Sequence, residues 1–235
     1  MKVEMWSDIV CPWCGIGHHR LQQALARFEH ADAVEVHYRS YQLDKHAPEE
    51  TWSVLEHLKG KYGLDDAGVD ATLERVEAAA AADGLTPYRL RDNIRGNTGL
   101  AHELCAFATA RDLGPAAWAR MFRAYFQEEG RSIFELDSLV VLGGEIGLDE
   151  AELRRALSER RYRFTVDSDD HAARSRGVEG VPFHLFAGRY VLPGAETVET
   201  VLRGLHLGWE HARTQDAVLV GDGQGGRCGP DGCAL

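Results

Sequence analysis

The chain has 235 residues, 44% hydrophobic and 27% charged, which fits a soluble globular protein with one large domain or a domain carrying an insertion. Its 37 acidic residues outnumber 26 basic ones, giving a formal net charge of -11 with no long basic run, so neither nucleic acid nor an anionic membrane is an expected partner. No stretch approaches the ~20 apolar residues of a membrane span, and residues 1–8 lack the apolar run of a signal peptide. The expected compartment is therefore a reducing cytoplasm, where a Cys-x-x-Cys is catalytic or metal-binding rather than a structural staple.

Residues 2–7 alternate around Val3 and Met5 and read as a first strand. Past Gly15, the residues Leu21, Ala24, Leu25 and Phe28 recur at helical spacing, so a helix runs to about Glu29. Val34, Val36 and Tyr38 alternate with Glu35, His37 and Arg39 as a second strand. The right-handed crossover rule makes the two strands parallel neighbours in a β-α-β unit.

From 48 to 160 the period is helical throughout. Residues 52–59 predict a short helix, and 69–82 an alanine-rich one stopped by Asp83-Gly84. Thr86-Pro87-Tyr88 reads as a loop near the active face. Asn97 or Thr98 caps a helix carrying Leu100, Leu104, Phe107 and Ala108, which ends before Gly114-Pro115. Trp118, Met121, Phe122, Tyr125 and Phe126 then form an amphipathic stretch whose aromatic stripe is expected in the core. Asp137 is expected to cap a further helix. Asp149 with Glu152 reads as a capping box, stapled by Leu148 and Leu153.

The α/β character returns after Tyr162, with a helix ending near Gly177 and then Gly177-Val178-Glu179-Gly180-Val181-Pro182-Phe183. Residues 183–186 and 189–191 read as strands joined by the two-residue connection Ala187-Gly188. Val198, Val201, Leu202, Leu205 and Trp209 define a terminal helix. Past Asp216 the chain is Gly-rich, and its composition predicts a flexible tail carrying Cys228 and Cys233. The expected architecture is α/β in two core halves, 1–47 and 161–213, interrupted by an all-helical insertion, 48–160, and followed by the tail, 214–235.

The chemistry centres on Cys11-Pro12-Trp13-Cys14, between the first strand and the first helix. A cysteine at a helix N-terminus meets unpaired N–H groups and the positive end of the macrodipole, which stabilise a thiolate. Its pKa can then drop from about 8.5 into the range of roughly 3.5 to 7.5. Cys11 is thus the candidate nucleophile and Cys14, one turn in, the resolving thiol. Pro12 suits the first helical position because its φ is already helical and it has no N–H to satisfy. Asp8 and Glu4 are candidate proton acceptors for Cys14. His18 and His19 are expected on a solvated helix surface, Cys105 as a small buried hydrophobe. Asn97 and His102 receive no catalytic role.

This order of elements, with Cys-Pro-Trp-Cys after the first strand and Gly-Val-Pro-Phe before the hairpin, resembles the DsbA-like branch of the thioredoxin superfamily over about residues 1–213. Trp6-Ser7-Asp8 ahead of the motif and the cysteine-bearing tail are similar to FrnE-type members. The resemblance implies a thioredoxin-like core, a cis Pro182 facing the cysteines, and Val181 free to pair with an extended substrate, with Trp13 on the rim. It implies disulfide exchange with protein or small-molecule disulfides and dithiols, needing no resident cofactor, with glutathione as a conceivable redox partner. Cys228 and Cys233 would then form a relay exchanging with Cys11. A sister group of glutathione-dependent isomerases and transferases carries serine at the position of Cys11 and acts on small molecules in the helical cleft. The non-enzymatic alternative is a zinc module using Cys11, Cys14, Cys228 and Cys233; no metal is assigned here.

Overall fold

The computed structural model describes residues 1–215, 227–229 and 232–234. Its central sheet has four strands in the order β2-β1-β5-β6, formed by β1 (Lys2–Ser7), β2 (Glu35–Ser40), β5 (Phe183–Phe186) and β6 (Tyr190–Pro193). As the crossover rule requires, β1 and β2 are parallel, in register from Lys2 opposite Glu35 to Ser7 opposite Ser40. β5 runs antiparallel to β1, and β6 antiparallel to β5.

Side chains alternate across β1, so the sheet has two covered faces. Val3 and Met5 are fully buried on the face covered by α1 (Pro12–Arg27) and α9 (Val198–Gln215). Trp6 packs with Tyr41, Ala173 and Leu185 on the other face, where its indole N–H donates to the Asp169 carbonyl at 3.2 Å. That carbonyl belongs to α8 (Arg163–Ser175), which also fastens the end of β2. Asp169 accepts from the Ser40 N–H and Asp170 from the Gln42 N–H, both at 3.2 Å.

Between β2 and α8 lie α2 (Val54–Tyr62), α3 (Asp66–Ala82), α4 (Gly99–Thr109), α5 (Gly114–Phe126), α6 (Leu136–Gly144) and α7 (Glu150–Ser158). The expected stripe on α5 is buried: Trp118, Phe122, Tyr125 and Phe126 are all in the core. Several local expectations change. Trp52 does not open a helix: it and Ser53 form β3, paired with β4 (Ile94–Arg95). Ser53 then caps α2 in a capping box with Glu56. Asp65, not a later residue, starts α3 by accepting from the Gly68 N–H at 2.8 Å.

Thr98 occupies the cap position of α4 without a side-chain bond to the helix, while Asn97 accepts from the Gly99 N–H at 2.9 Å. Glu135 stands at the cap of α6; Asp137 lies inside the first turn and pairs with Arg154, where an acid still complements the dipole. Asp149 caps α7, but Glu152 turns to Arg111 instead of closing the box. The β5–β6 connection is the turn 187–189, one residue longer than expected, because Phe186 pairs with Tyr190. Ala187 and Gly188 both take positive φ there, 50° and 66°.

Within the stretch read as a flexible tail, β7 (Arg227–Gly229) and β8 (Gly232–Ala234) pair antiparallel with Cys228 opposite Cys233.

Candidate active site

β1 delivers the chain to Asp8, and the turn 8–11 closes with the Cys11 N–H on the Asp8 carbonyl at 3.1 Å. Cys11 is the N-cap of α1, with extended backbone (φ -83°, ψ 114°), and Pro12 follows at the first helical position. Its carbonyl accepts from the N–H groups of Cys14 and Gly15 at 3.0 and 3.3 Å, so the motif forms the first turn of the helix. Both cysteines are free thiols, Cys11 only 5% exposed and Cys14 fully buried.

The Cys11 thiol donates to the Val181 carbonyl across 3.6 Å, joining residues 170 apart in sequence. The Val181–Pro182 bond is cis, as the resemblance implied. Gly194 donates to the Pro182 carbonyl at 2.7 Å and holds that loop to the end of β6. Among the described residues no acceptor faces the Val181 N–H. Trp13, within the motif, and Val181 are both half-buried. The structure thus brings Cys11, Trp13, Cys14, Val181 and Pro182 together. The Cys228 and Cys233 side chains lie outside the described residues, and with them the relay and the four-cysteine zinc site. No group of three His, Cys, Asp or Glu side chains among the described residues is arranged to hold a metal.

Two glycines after the motif make the close packing possible. A Cβ on Gly17 would fall 2.9 Å from Cγ of Pro182, and one on Gly15 would fall 2.4 Å from the Tyr88 hydroxyl oxygen. Tyr88 donates to the Pro12 carbonyl at 2.6 Å while its ring stacks on Phe126, centroids 4.6 Å apart. The loop placed near the active face is therefore in contact with it through Tyr88, a tyrosine that no local pattern distinguishes from the others.

Burial pushes the Cys14 thiol well up, reinforced by Cys11 alongside it and by the Asp8 charge. Asp8 is 1% exposed, and burial alone would raise its pKa. The His102 hydrogen bond and charge, the Leu43 N–H at 2.8 Å and the charge of Arg95 outweigh burial and hold the carboxyl below the usual carboxylate range. Arg95 itself donates to the Val10 carbonyl at 3.1 Å. The other candidate acid, Glu4, is taken up by Lys2 and Arg39.

His18 and His19 are not on a solvated surface. His18 shares a 2.6 Å hydrogen bond with the Tyr38 hydroxyl, and burial, helped by the charge of His19, lowers its pKa to about 4. His19 bonds the Asp83 carbonyl at 3.0 Å. Cys105 is buried as expected, and burial raises its thiol pKa. A cavity of about 490 Å³ lies alongside α1, walled by His18, Tyr88, Phe122 and Ile146.

A thioredoxin-type sheet with a Cys-x-x-Cys at the first helix N-terminus and a cis-proline loop against it defines the class of thiol-disulfide exchange and isomerisation enzymes. Residues 2–206 match the DSBA-like thioredoxin domain, and the chain belongs to that family. It is similar to the probable DsbA oxidoreductase SCO1869 of Streptomyces coelicolor, at 35% identity with a TM-score of 0.85, covering 100% of this chain and 99% of that one. It is 26% identical to the uncharacterized protein YwbO of Bacillus subtilis (strain 168) over 83% of this chain and 90% of that protein. It shares its fold with the cytosolic disulfide reductase DsbM of Pseudomonas aeruginosa, at 19% identity and a TM-score of 0.58, covering 93% and 100% of the two chains.

Proposed function

We propose that this protein is a cytoplasmic thiol-disulfide oxidoreductase of FrnE type, working through Cys11 and Cys14 without a resident cofactor. The observation that carries the reading is the Cys11 thiol at the N-cap of α1, against the Val181 carbonyl beside Pro182. Val181 offers a carbonyl and an N–H to an extended partner strand, and Trp13 lines the approach.

In the reducing direction, the Cys11 thiolate attacks one sulfur of a substrate disulfide. The substrate S–S bond breaks, its other sulfur leaves as a thiolate, and a mixed disulfide forms. Cys14 then loses its proton, with Asp8 as acceptor, and attacks Cys11. The second substrate sulfur leaves, and the protein holds the Cys11–Cys14 disulfide. Two electrons have passed to the substrate, whose thiolates take up two protons; a thiol such as glutathione restores the dithiol. Oxidation of a dithiol is the same sequence reversed. Partners are protein or small-molecule disulfides and dithiols, and the net charge of -11 disfavours nucleic acid and anionic membranes. Cys228 and Cys233 are assigned as a relay to Cys11.

Catalysed reduction of insulin tests the reading, with Cys11→Ser expected to reduce turnover to background. Absence of both disulfide reduction and oxidative refolding, together with tight glutathione binding, would overturn it in favour of a glutathione-dependent isomerase or transferase. Substituting Cys228 and Cys233 by serine with no change in turnover would remove the relay.

A further inference from the structure

His102 is the one imidazole that the fold sends to the interior of the motif, and nothing in the proposed exchange steps yet uses it. It projects from the first turn of α4, is fully buried, and has Nε2 3.3 Å from Oδ1 of Asp8, a residue 94 positions away. An ionised carboxylate has no proton to give, so Nε2 carries the N–H and Asp8 accepts. The other nitrogen, Nδ1, is buried without a hydrogen-bond partner among the described residues. A buried polar atom left without a partner costs roughly 1–3 kcal/mol. An apolar side chain among its neighbours would avoid that cost, so packing alone does not account for a histidine here.

We infer that His102 is a positioning residue of the helical insertion, acting through Asp8 to keep that carboxylate ionised and aimed while Cys14 gives up its proton. The inference rests on Asp8 being the proton acceptor in resolution. The groups that face the pair come from every packed element. Arg95 of β4 attracts the Asp8 charge, and Cys14 and Tyr125 sense it from α1 and α5. Asp169 of α8 faces His102, and the Trp118 ring lies edge-on to it at 5.4 Å.

Without the imidazole, Asp8 keeps the Leu43 N–H at 2.8 Å, the longer Val10 contact at 3.5 Å and the charge of Arg95. Burial then weighs more heavily on its ionised form, and the carboxyl shifts toward protonation. A protonated Asp8 cannot take the Cys14 proton, so resolution slows at neutral pH and recovers as pH rises. The first attack, by Cys11, does not pass through Asp8.

The two steps separate with a chromophoric aromatic disulfide, 5,5'-dithiobis(2-nitrobenzoate), in stopped flow. With Cys228 and Cys233 replaced by serine in every protein compared, so that the tail releases no aryl thiolate, the first equivalent released reports attack by Cys11 and the second reports resolution by Cys14, each followed across about pH 5 to 9. For His102→Leu the expected result is an unchanged first phase. The second phase should slow by about tenfold near pH 7, with its half-maximum at least about one pH unit higher. His102→Gln, which restores an N–H donor at similar reach, should return most of the rate; His102→Asn, too short to reach Asp8, should not. If His102→Leu does not fold, the Gln and Asn variants decide the matter. A second phase that superimposes on the unmodified protein in the variants lacking the donor overturns the inference, as does equal slowing in Gln and Asn. A different outcome marks failure of the underlying reading: no second phase in the unmodified protein, or one that Asp8→Asn leaves intact.

Discussion

Helix α1 touches two regions through two glycines, and the contacts differ in kind. At Gly17 the helix backbone meets the Pro182 ring, within the thioredoxin half of the chain. At Gly15 it meets the Tyr88 hydroxyl and the Phe126 ring, which belong to the insertion. Both use the missing Cβ for close approach, but a proline ring on a hydrogen-bonded loop has nowhere to go, whereas a tyrosine hydroxyl is the far end of a side chain. The first contact fixes the cis-proline loop against the cysteines, and the second ties the insertion to the carbonyl of Pro12.

Substitutions at these contacts give unequal effects. Gly17→Ala is expected to have the largest, destabilising the protein by about 1–3 kcal/mol, because the added methyl forces the Pro182 loop away. Its urea midpoint should fall with the m-value unchanged, and turnover in the insulin assay should fall with it. A stable, fully active Gly17→Ala protein would break the distinction.

Gly15→Ala should cost less, about 1 kcal/mol net, since better helix propensity offsets part of the clash. The double variant Gly15→Ala/Tyr88→Phe should recover stability relative to the sum of the single changes, because the offending oxygen is gone. Additive effects would show that Tyr88 is not what crowds Gly15. Tyr88→Phe alone removes the 2.6 Å bond to Pro12 and is expected to cost about 1 kcal/mol in the same unfolding experiment.

The smallest effect at neutral pH comes from the buried histidines. His18 lies one turn beyond Gly15 on the insertion side, and His184 lies in β5 opposite Met5 on the sheet side. Burial lowers the pKa of each from 6.5 to about 4. The unfolded chain therefore binds protons more readily, so folding is unpenalised above pH 6.5 and loses stability as pH falls from there toward 4. His18→Phe and His184→Phe should each flatten this acid limb in a series of thermal melts, with little titration effect at pH 7. An unchanged limb in both would contradict the burial argument.

What was legible in the sequence was what is local. The alternation of Val3 and Met5, the helical spacing of Leu21, Ala24 and Phe28, and the stripe on α5 each announce a buried face by period alone, and the structure buries them. Cys-Pro-Trp-Cys and Gly-Val-Pro-Phe marked the two sides of the site because both are short contiguous motifs. Pairings across distance left no such mark. Trp52 looks like a helix start, yet its strand character comes from Arg95 on the other side of two helices. His102 reaches Asp8 from another element, and helical periodicity cannot tell a buried histidine with a partner from one without. Ala187 adopts φ 50° without glycine's usual signal, which hid the true length of the turn.

On the α1 face of the sheet, the buried apolar side chains and those of the insertion form a single cluster, running from Val3 and Met5 through Cys14 and Tyr88 to Leu104, Trp118 and Leu153. Chain that is inserted in sequence is thus not separable in energy, since neither portion can expose its share of that cluster without stripping the other. Heating should melt the molecule in one cooperative step, with the same midpoint by far-UV circular dichroism and by tryptophan fluorescence, to which Trp6 and Trp118 contribute from the two portions.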